Sequence, residues 1–292
     1  MASSHLTPTG PAPATDGVTE EWLDSHLPGV FASGHQWLVE AQRASSKAII
    51  AAAEVDPGDH VVDVACGSGI PTILLARAVE PGGRVTAVDP SPVLIDALTQ
   101  NVREAGLDNV DIVQASAMTL PFADATFDAA TCHFGAMFFP DLPAGLAGIR
   151  RGLKPGARAA FAGWGPIEEN THLGPFFVTL ARHLGPRPAP PNPSEAPWPM
   201  RFAIPSTLSA GLEAAGYEDI REEQPILDIV WPGPPETLLE FWMNMANLGP
   251  EVPAETRSAI EGELLDHLRS IERDGTLPFT ARITIGSGRN AA

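Results

Sequence analysis

The chain has 292 residues, a formal net charge of −18 at pH 7 and two cysteines. Nucleic-acid binding relies on clustered Lys and Arg, so this acidic balance argues against a nucleic-acid partner. Two cysteines do not make the disulfide framework of a small secreted protein. No run of the sequence approaches the ~20 apolar residues that a membrane span requires, and we expect a cytoplasmic protein without such a span.

The first 54 residues divide into two segments of different composition. Residues 1–17 are rich in small and polar residues and lack the basic start and apolar centre of a signal peptide, which predicts a disordered tail. Residues 18–54 carry apolar and aromatic positions, among them Trp22, Phe31 and Trp37. We expect these residues to form helices that cover a ligand site as a lid.

A short apolar strand followed by a glycine turn begins the central segment, residues 55–165. The strand carries Asp63, and the turn contains Gly67 and Gly69. Glycine lacks a Cβ atom, so a ligand can approach the backbone of such a turn. Asp63 places negative charge where a dinucleotide would place its pyrophosphate. The pattern therefore favours a ligand with a cationic amino group.

A nicotinamide dinucleotide site is the competing interpretation of the same turn. Its fingerprint, G-x-G-x-x-G, requires a third glycine, but Thr72 occupies that position here. Asp89 lies 20 residues after Gly69, which suits either ligand because both carry a ribose diol. The turn alone is therefore a weak signal.

Strands and helices alternate from this turn to residue 164. The predicted elements are a helix over residues 70–79, a strand over 84–89, a helix between the capping Ser91 and Gly106, strands over 110–114 and 127–133, a helix around 142–153 and a strand over 157–164. Such alternation predicts a parallel sheet covered by helices on both faces.

The order of several short motifs resembles that of class I S-adenosylmethionine (SAM)-dependent methyltransferases. The motifs are DVACGSG at residues 63–69, VD at 88–89, LPF at 120–122, FD at 127–128 and LKPG at 153–156. The resemblance covers residues 40–165 and is strongest to the small-molecule branch that includes the ubiquinone and menaquinone C-methyltransferases. It implies a Rossmann-like α/β fold, a mostly parallel sheet of seven strands with the last strand antiparallel, and SAM as the cofactor.

The resemblance also implies a role for each residue that matches a motif. Asp63 and the turn would bind the methionine end of SAM, Asp89 would accept hydrogen bonds from both ribose hydroxyls, and Pro90 would lie against the adenine. The turn comprises Ala65, Cys66, Gly67, Ser68 and Gly69, and the other face of the adenine is assigned to Ser116, Ala117 and Met118. An Asp commonly occupies the position of Ser116, so adenine recognition is expected to be weaker here or to use the backbone.

Residues 166–292 are expected to add cap insertions and the remaining strands to the same domain. The proline-rich run at 185–193 predicts an extended segment, because proline lacks the backbone donor that helices and central strands need. Further strands are predicted over 217–224, 226–231 and 278–285, and helices around 238–245 and 260–271.

His133 is the candidate catalytic residue. It ends the fourth predicted strand, at the edge where open α/β sheets bind ligands, and an imidazole could accept a proton from a phenol or enol. His172, His183, Glu168 and Glu169 are weaker candidates. A lone histidine is more often a structural hydrogen-bonding residue. No spacing predicts a metal site.

These features predict a methyltransferase of small-molecule, secondary metabolism that moves the methyl group of SAM to O or C of an aromatic or lipophilic acceptor. The acidic charge and the lack of an Asn-Pro-Pro-Tyr-like motif disfavour nucleic-acid methylation. One alternative is an enzyme of this fold that catalyses another step, such as cyclisation, and keeps SAM as a structural ligand. Another is a non-catalytic partner subunit, which the intact turn and Asp89 disfavour. The sequence leaves the oligomeric state open.

Overall fold

The structure is a computed structural model that describes residues 17–186 and 189–291. The tail predicted for residues 1–17 therefore lies almost wholly outside the described residues. The helices are α1 (Gly17–Asp24), α2 (Leu27–Ser33), α3 (His35–Ala41), α4 (Arg43–Ala52), α5 (Thr72–Ala78), α6 (Pro92–Glu104), α7 (Leu142–Gly152), α8 (Gly174–Leu184), α9 (Thr207–Ala214), α10 (Pro235–Ala246) and α11 (Ala254–Ile271). The strands are β1 (His60–Val64), β2 (Arg84–Asp89), β3 (Val110–Gln114), β4 (Phe127–His133), β5 (Leu153–Trp164), β6 (Glu218–Glu223), β7 (Ile226–Trp231) and β8 (Leu277–Arg289).

The strands form one mostly parallel sheet in the order β3-β2-β1-β4-β5-β8-β6, with β7 paired to β8. Strands β1 to β5 run parallel, and β8 runs antiparallel to β5. The Rossmann-like fold with an antiparallel last strand is confirmed, but the sheet has eight strands where the resemblance implies seven. The extra pairing is possible because β8 has 13 residues, so it pairs with β5 over 283–289 and with β7 over 277–282.

Several predicted boundaries differ from the observed ones: β8 continues to Arg289, four residues beyond its predicted end, and α11 begins at Ala254, six residues before its predicted start. The helix after the glycine turn begins at Thr72, two residues later than predicted, because the turn continues through Ile70 and Pro71. Strand β5 begins at Leu153 and includes the Lys154-Pro155-Gly156 segment, with a register irregularity against β4.

Apolar cores cover both faces of the sheet. One contains Phe127, Phe161 and Phe202 and packs against α7 and α9. The other contains Trp231 and Trp242 and lies among α4, α10 and α11. None of the helices in residues 17–186 and 189–291 combines the length and apolar composition that crossing a bilayer would require.

The connections place a crevice between β1 and β4. The chain leaves β1 toward β2 on one side and returns to β4 on the other, which makes this pair the switch point of the sheet. In open α/β sheets, ligands bind outside the carboxyl ends of the strands at such a point. The glycine turn follows β1, and His133 ends β4.

The N-terminal helices lie over this edge of the sheet. Helix α2 packs against both α6 and α10. The indole of Trp22 contacts Phe31 in α2 and Phe138 after β4, with ring centroids 5.9 and 6.1 Å apart. The imidazole Nε2 of His26 lies 3.3 Å from the carbonyl oxygen of Met245 in α10. These helices thus connect the core of the sheet to the C-terminal part of the chain.

Candidate active site

Asp63 lies fully buried in β1, next to the turn. Its two carboxylate oxygens accept hydrogen bonds from the hydroxyls of Thr72, at 2.6 Å, and Thr131, at 2.8 Å. Burial raises the pKa of Asp63 to about 6, and the nearby charge of Asp89 adds to the rise, while the two hydroxyl groups oppose it. A cationic group nearby would therefore stabilise the carboxylate form.

The turn that follows β1 places three residues in the left-handed region. Their φ angles are 55° at Ala65, 56° at Gly67 and 110° at Gly69. A Cβ atom on Gly69 would lie 2.9 Å from Leu98, whereas one on Gly67 would meet no atom within 4 Å. Gly67 therefore borders open space that a ligand could occupy next to bare backbone.

Asp89, at the end of β2, is bonded to the turn at Gly67. It is 4% exposed, and its carboxylate accepts hydrogen bonds from the backbone N–H of Gly67 at 3.0 Å and of Ser91 at 2.9 Å. Burial raises its pKa to about 6, against the effect of these two bonds. A carboxylate can accept about four hydrogen bonds, so each oxygen keeps capacity for a hydroxyl of a diol.

The residues assigned to the adenine follow β2 and β3. The carbonyl of Pro90 accepts a hydrogen bond from the Gln114 amide at 3.1 Å. The hydroxyl of Ser116 accepts from the N–H of Met118 at 3.2 Å, at the start of a short 3₁₀ turn that includes Ala117. This bond leaves the Ser116 proton free to act as a donor. Their contact with an adenine stays a prediction.

Cys66 can reach a ligand in the turn only through its backbone. Its side chain is 2% exposed and packs with Ala87, Leu98 and Val102. Burial raises the pKa of the Cys66 thiol well above its usual value, and the charges of Asp89 and Asp63 add to the effect. Both free cysteines are buried, so neither is an accessible nucleophile.

The structure adds a residue to the turn that the sequence did not single out. The imidazole Nδ1 of His35, at the start of α3, lies 2.9 Å from the hydroxyl of Ser68, and the Asn101 amide donates to the carbonyl of Ser68 at 2.9 Å. Burial lowers the pKa of His35. No local pattern relates His35 to a residue 33 positions away, because only the folded lid brings them together.

His133 lies at the switch point, but deep in the protein. Its Nε2 is 3.0 Å from the hydroxyl of Ser45 in α4, and the residue is 5% exposed. Burial lowers its pKa to about 3, which the backbone of Ile70 partly offsets. The imidazole is therefore neutral at physiological pH, and its proton-accepting strength is low.

Three of the weaker catalytic candidates interact with side chains outside the turn and the end of β4. His172 is buried against Trp242 and Phe279, and this burial lowers its pKa to about 4. His183 lies 3.1 Å from Glu263, and Glu169 forms an ion pair with Arg282. The described residues contain no cluster of three or more His, Cys, Asp or Glu side chains that could coordinate a metal ion.

Close packing of Ala65 against Gly135 joins the ends of β1 and β4. A Cβ atom on Gly135 would lie 2.4 Å from Cβ of Ala65 and 3.0 Å from Sγ of Cys132. We expect Gly135→Ala to lower the free energy of unfolding by ~1–3 kcal/mol in urea titrations, as overpacking does. The Ala65→Gly/Gly135→Ala double variant removes the main clash and should regain part of that loss. A double variant less stable than Gly135→Ala would refute this packing.

Residues 61–156 match the family model described as a methyltransferase domain. The chain is 27% identical to the nocamycin O-methyltransferase of Saccharothrix syringae over 258 residues, which cover 86% of this chain and 92% of that protein. It is 43% identical to the 2-phytyl-1,4-naphtoquinone methyltransferase of Synechococcus elongatus over 105 residues, which cover 36% of this chain and 45% of that protein. The alignment with the quinone methyltransferase thus spans less than half of its length.

Two solved structures share the fold. Phosphoethanolamine N-methyltransferase 2 of Haemonchus contortus, in complex with S-adenosyl-L-methionine, has a TM-score of 0.56 at 15% identity and covers 96% of this chain and 61% of its own. The cyclase SpnF has a TM-score of 0.51 at 19% identity and covers 85% of this chain and 80% of its own. At such identities the likeness shows the fold alone.

Proposed function

We propose that this chain, whose core is a class I SAM-dependent methyltransferase domain, moves the methyl group of SAM to an oxygen or carbon atom of a small aromatic or lipophilic metabolite. The resemblance drawn from the motifs, with SAM as cofactor, is confirmed by the family match and the relatives. The acceptor and the individual site residues remain proposals.

The observation that carries the proposal is the open space at Gly67, in the turn after β1, together with the buried carboxylates of Asp63 in β1 and Asp89 in the neighbouring strand β2. This arrangement fits SAM, because Asp63 favours a cationic amino group and Asp89 retains acceptor capacity for a ribose diol. When bound, SAM would supply an electrophilic methyl group, whose carbon an acceptor atom attacks opposite the sulfur, so that the C–S bond breaks and S-adenosylhomocysteine leaves. Asp63, Ala65, Cys66, Gly67, Ser68, Gly69 and Asp89 would bind the amino-acid and ribose parts, and Pro90, Ser116, Ala117 and Met118 the adenine.

Aromatic side chains from three parts of the chain support a flat or lipophilic acceptor. Trp22 stacks on Phe138, and Phe31 contacts Phe241 edge to face with ring centroids 6.0 Å apart. These rings come from the lid, the segment after β4, and α10, so they can exclude water from an acceptor between lid and sheet. One of the two relatives is a 2-phytyl-1,4-naphtoquinone methyltransferase, which agrees with a flat and lipophilic acceptor.

Binding of S-adenosylhomocysteine tests the cofactor site first. Calorimetry should show one site per chain, and NAD should not bind because the turn lacks the third glycine of the dinucleotide fingerprint. Binding of NAD without binding of S-adenosylhomocysteine would contradict the proposal.

The affinity for S-adenosylhomocysteine should depend on pH through Asp63 and Asp89, because the pKa of each is raised to about 6, and Asp63→Asn isolates the contribution of Asp63. The Asp63 carboxyl has a raised pKa of about 6 in the free protein, and the ligand's ammonium group favours its ionised form. The affinity is therefore full above pH 6 and falls as the pH drops through 6, because Asp63 becomes protonated. Protonation of Asp63 lowers the association constant by up to about tenfold per pH unit. Calorimetry between pH 5 and 8 measures the slope. Asp63→Asn should bind more weakly and show a flatter profile, whereas an equal slope in that variant would exclude Asp63 as one of the titrating groups.

His133 is our candidate proton acceptor for a phenol or enol. Because burial holds its pKa near 3, it is a weak base, and we expect His133→Ala to lower kcat by about 10²-fold, the lower end for general-base catalysis. Affinity for S-adenosylhomocysteine should be nearly unchanged. Ser45→Ala removes the hydrogen-bond partner but keeps the imidazole, so it should retain most of kcat. A small effect of His133→Ala, confined to KM, would assign the transfer to positioning alone.

A cyclisation activity with SAM as a structural ligand is the second candidate. Its one supporting observation is the fold shared with the cyclase SpnF. Label from the methyl group of SAM would appear in the product only for a methyltransferase.

A further inference from the structure

Phe134 adopts a backbone conformation that bulky residues rarely take. It follows directly after β4, and its φ angle is 57°. In the left-handed region a Cβ atom crowds the backbone, so a residue of this size persists there only when its surroundings enforce it. The backbone conformation alone would favour a glycine at this position, so the phenyl ring indicates that the side chain itself has a role there.

The surroundings that enforce the conformation belong to the switch point of the sheet. The N–H of Phe134 donates to the carbonyl of Ala162 in β5 at 2.9 Å. The next residue, Gly135, packs directly on Ala65, which is itself left-handed with a φ angle of 55°. Two left-handed residues that follow neighbouring strands thus fix the direction of the phenyl ring.

The ring that is fixed in this way forms a stack at the carboxyl edge of the sheet. Its centroid lies 4.3 Å from that of Trp164, the last residue of β5, with an angle of 26° between the planes. The ring centroid of His133, on the same edge, lies 4.4 Å from that of Phe134. Phe134 and Trp164 are both half-buried and pack against the cores on both faces of the sheet. The stack therefore lies between the two cores, with part of its surface accessible.

We propose that the Phe134–Trp164 stack determines acceptor specificity by packing against a planar, conjugated ring of the methyl acceptor. The proposal rests on the proposed function and narrows its acceptor from aromatic or lipophilic compounds to planar ones. Offset or edge-to-face contacts between rings stabilise more than the burial of the same area by a saturated ring. The fixed backbone supplies the rigidity that such selection needs, because the ring does not have to be ordered when the acceptor arrives.

The test compares two probes of the same skeleton, 1-naphthol and decahydro-1-naphthol, which differ in planarity. Each is titrated by calorimetry into the full chain saturated with S-adenosylhomocysteine. The wild-type protein should bind 1-naphthol about three- to tenfold more tightly than the saturated alcohol, after correction for their different partition into octanol. Phe134→Gly, which suits the left-handed backbone, should remove this preference and leave the affinity for S-adenosylhomocysteine unchanged.

Two further variants keep the result interpretable. Phe134→Tyr retains the ring and should retain the preference, whereas Phe177→Ala removes a 40% exposed ring on α8 and should change neither affinity. Equal binding of the two probes to the wild type, or a preference that survives in Phe134→Gly, would overturn the inference. Failure of the wild-type protein to bind S-adenosylhomocysteine would instead overturn the proposed function, so the two failures are distinguishable.

Discussion

Gly67→Val is expected to abolish binding of S-adenosylhomocysteine while the protein stays folded. The valine side chain would enter the open space beside the turn, where no protein atom lies within 4 Å, and would occupy the volume assigned to the ligand. The φ angle of 56° also disfavours a β-branched residue. We expect this strain to lower the free energy of unfolding by ~1–2 kcal/mol, too little to unfold a domain of ordinary stability. Calorimetry and urea titration measure the two effects.

Gly106→Val is the matched control for this variant. Gly106 follows α6, has a φ angle of 68°, and a Cβ atom on it would likewise meet no atom within 4 Å. The substitution imposes a similar backbone strain away from the turn, so it should lower stability and leave the affinity unchanged. Equal loss of affinity in both variants would assign the effect to destabilisation, and retained binding in Gly67→Val would remove the turn from the cofactor site.

Asp89→Ala should produce the second-largest loss of affinity. It removes the acceptor that we propose for the ribose hydroxyls and would leave these hydroxyls unpaired, at a cost of ~1–3 kcal/mol, or about 5- to 150-fold in the dissociation constant. The same carboxylate accepts hydrogen bonds from Gly67 and Ser91, so the turn should also lose stability. Calorimetry with S-adenosylhomocysteine and urea titration separate the two effects.

Asp141→Ala provides the comparison for Asp89→Ala. Asp141 caps α7 by accepting a hydrogen bond from the N–H of Ala144 at 2.9 Å, and its loss should cost ~1 kcal/mol of stability. Asp141 is not among the residues assigned to the cofactor, so the affinity of Asp141→Ala for S-adenosylhomocysteine should equal that of the wild type. An unchanged dissociation constant in Asp89→Ala would exclude this carboxylate from the ribose site.

The part of the site that follows β1 and β2 could be predicted because its signals are local. A buried strand, an acid and a glycine turn occupy consecutive residues, and Asp89 ends the next strand. Glycine suits its position because the backbone at Gly67 is left-handed. The acid at residue 89 suits its position because its carboxylate accepts hydrogen bonds from the backbone N–H groups of Gly67 and Ser91. Regular strands and helices of the core were predictable on the same basis, since their apolar periodicity is encoded within each element.

Long-range packing determined what the sequence could not predict. The contact of His35 with Ser68 depends on how the lid folds over the turn. The left-handed conformation of Phe134 depends on its hydrogen bond to Ala162 in β5 and on Ala65, which follows β1 and packs against the neighbouring Gly135. The burial that lowers the pKa of His133 also depends on α4, whose Ser45 approaches from outside the sheet. Composition and periodicity carry no information on such pairs.

The proline-rich insertion shows the same limit. Proline content predicts an extended segment at residues 185–193, of which Arg187 and Pro188 lie outside the described residues. The structure shows what fixes the region that follows: the buried guanidinium of Arg201 donates to the carbonyls of Phe139, Ser194 and Glu195. The Arg201 side chain thus helps to attach the insertion to the segment after β4, together with the N–H of Trp198, which donates to the carbonyl of Met137 at 3.2 Å. Nothing in the local sequence of Arg201 indicates that role.

Transfer of a labelled methyl group tests the central claim most directly. The wild-type protein and Gly67→Val are incubated with methyl-labelled SAM and a metabolite extract, and labelled products are separated from S-adenosylhomocysteine. The account predicts a labelled small molecule, formed in equal amount to S-adenosylhomocysteine by the wild type and absent with Gly67→Val. A product that forms without label while SAM remains intact would contradict methyl transfer.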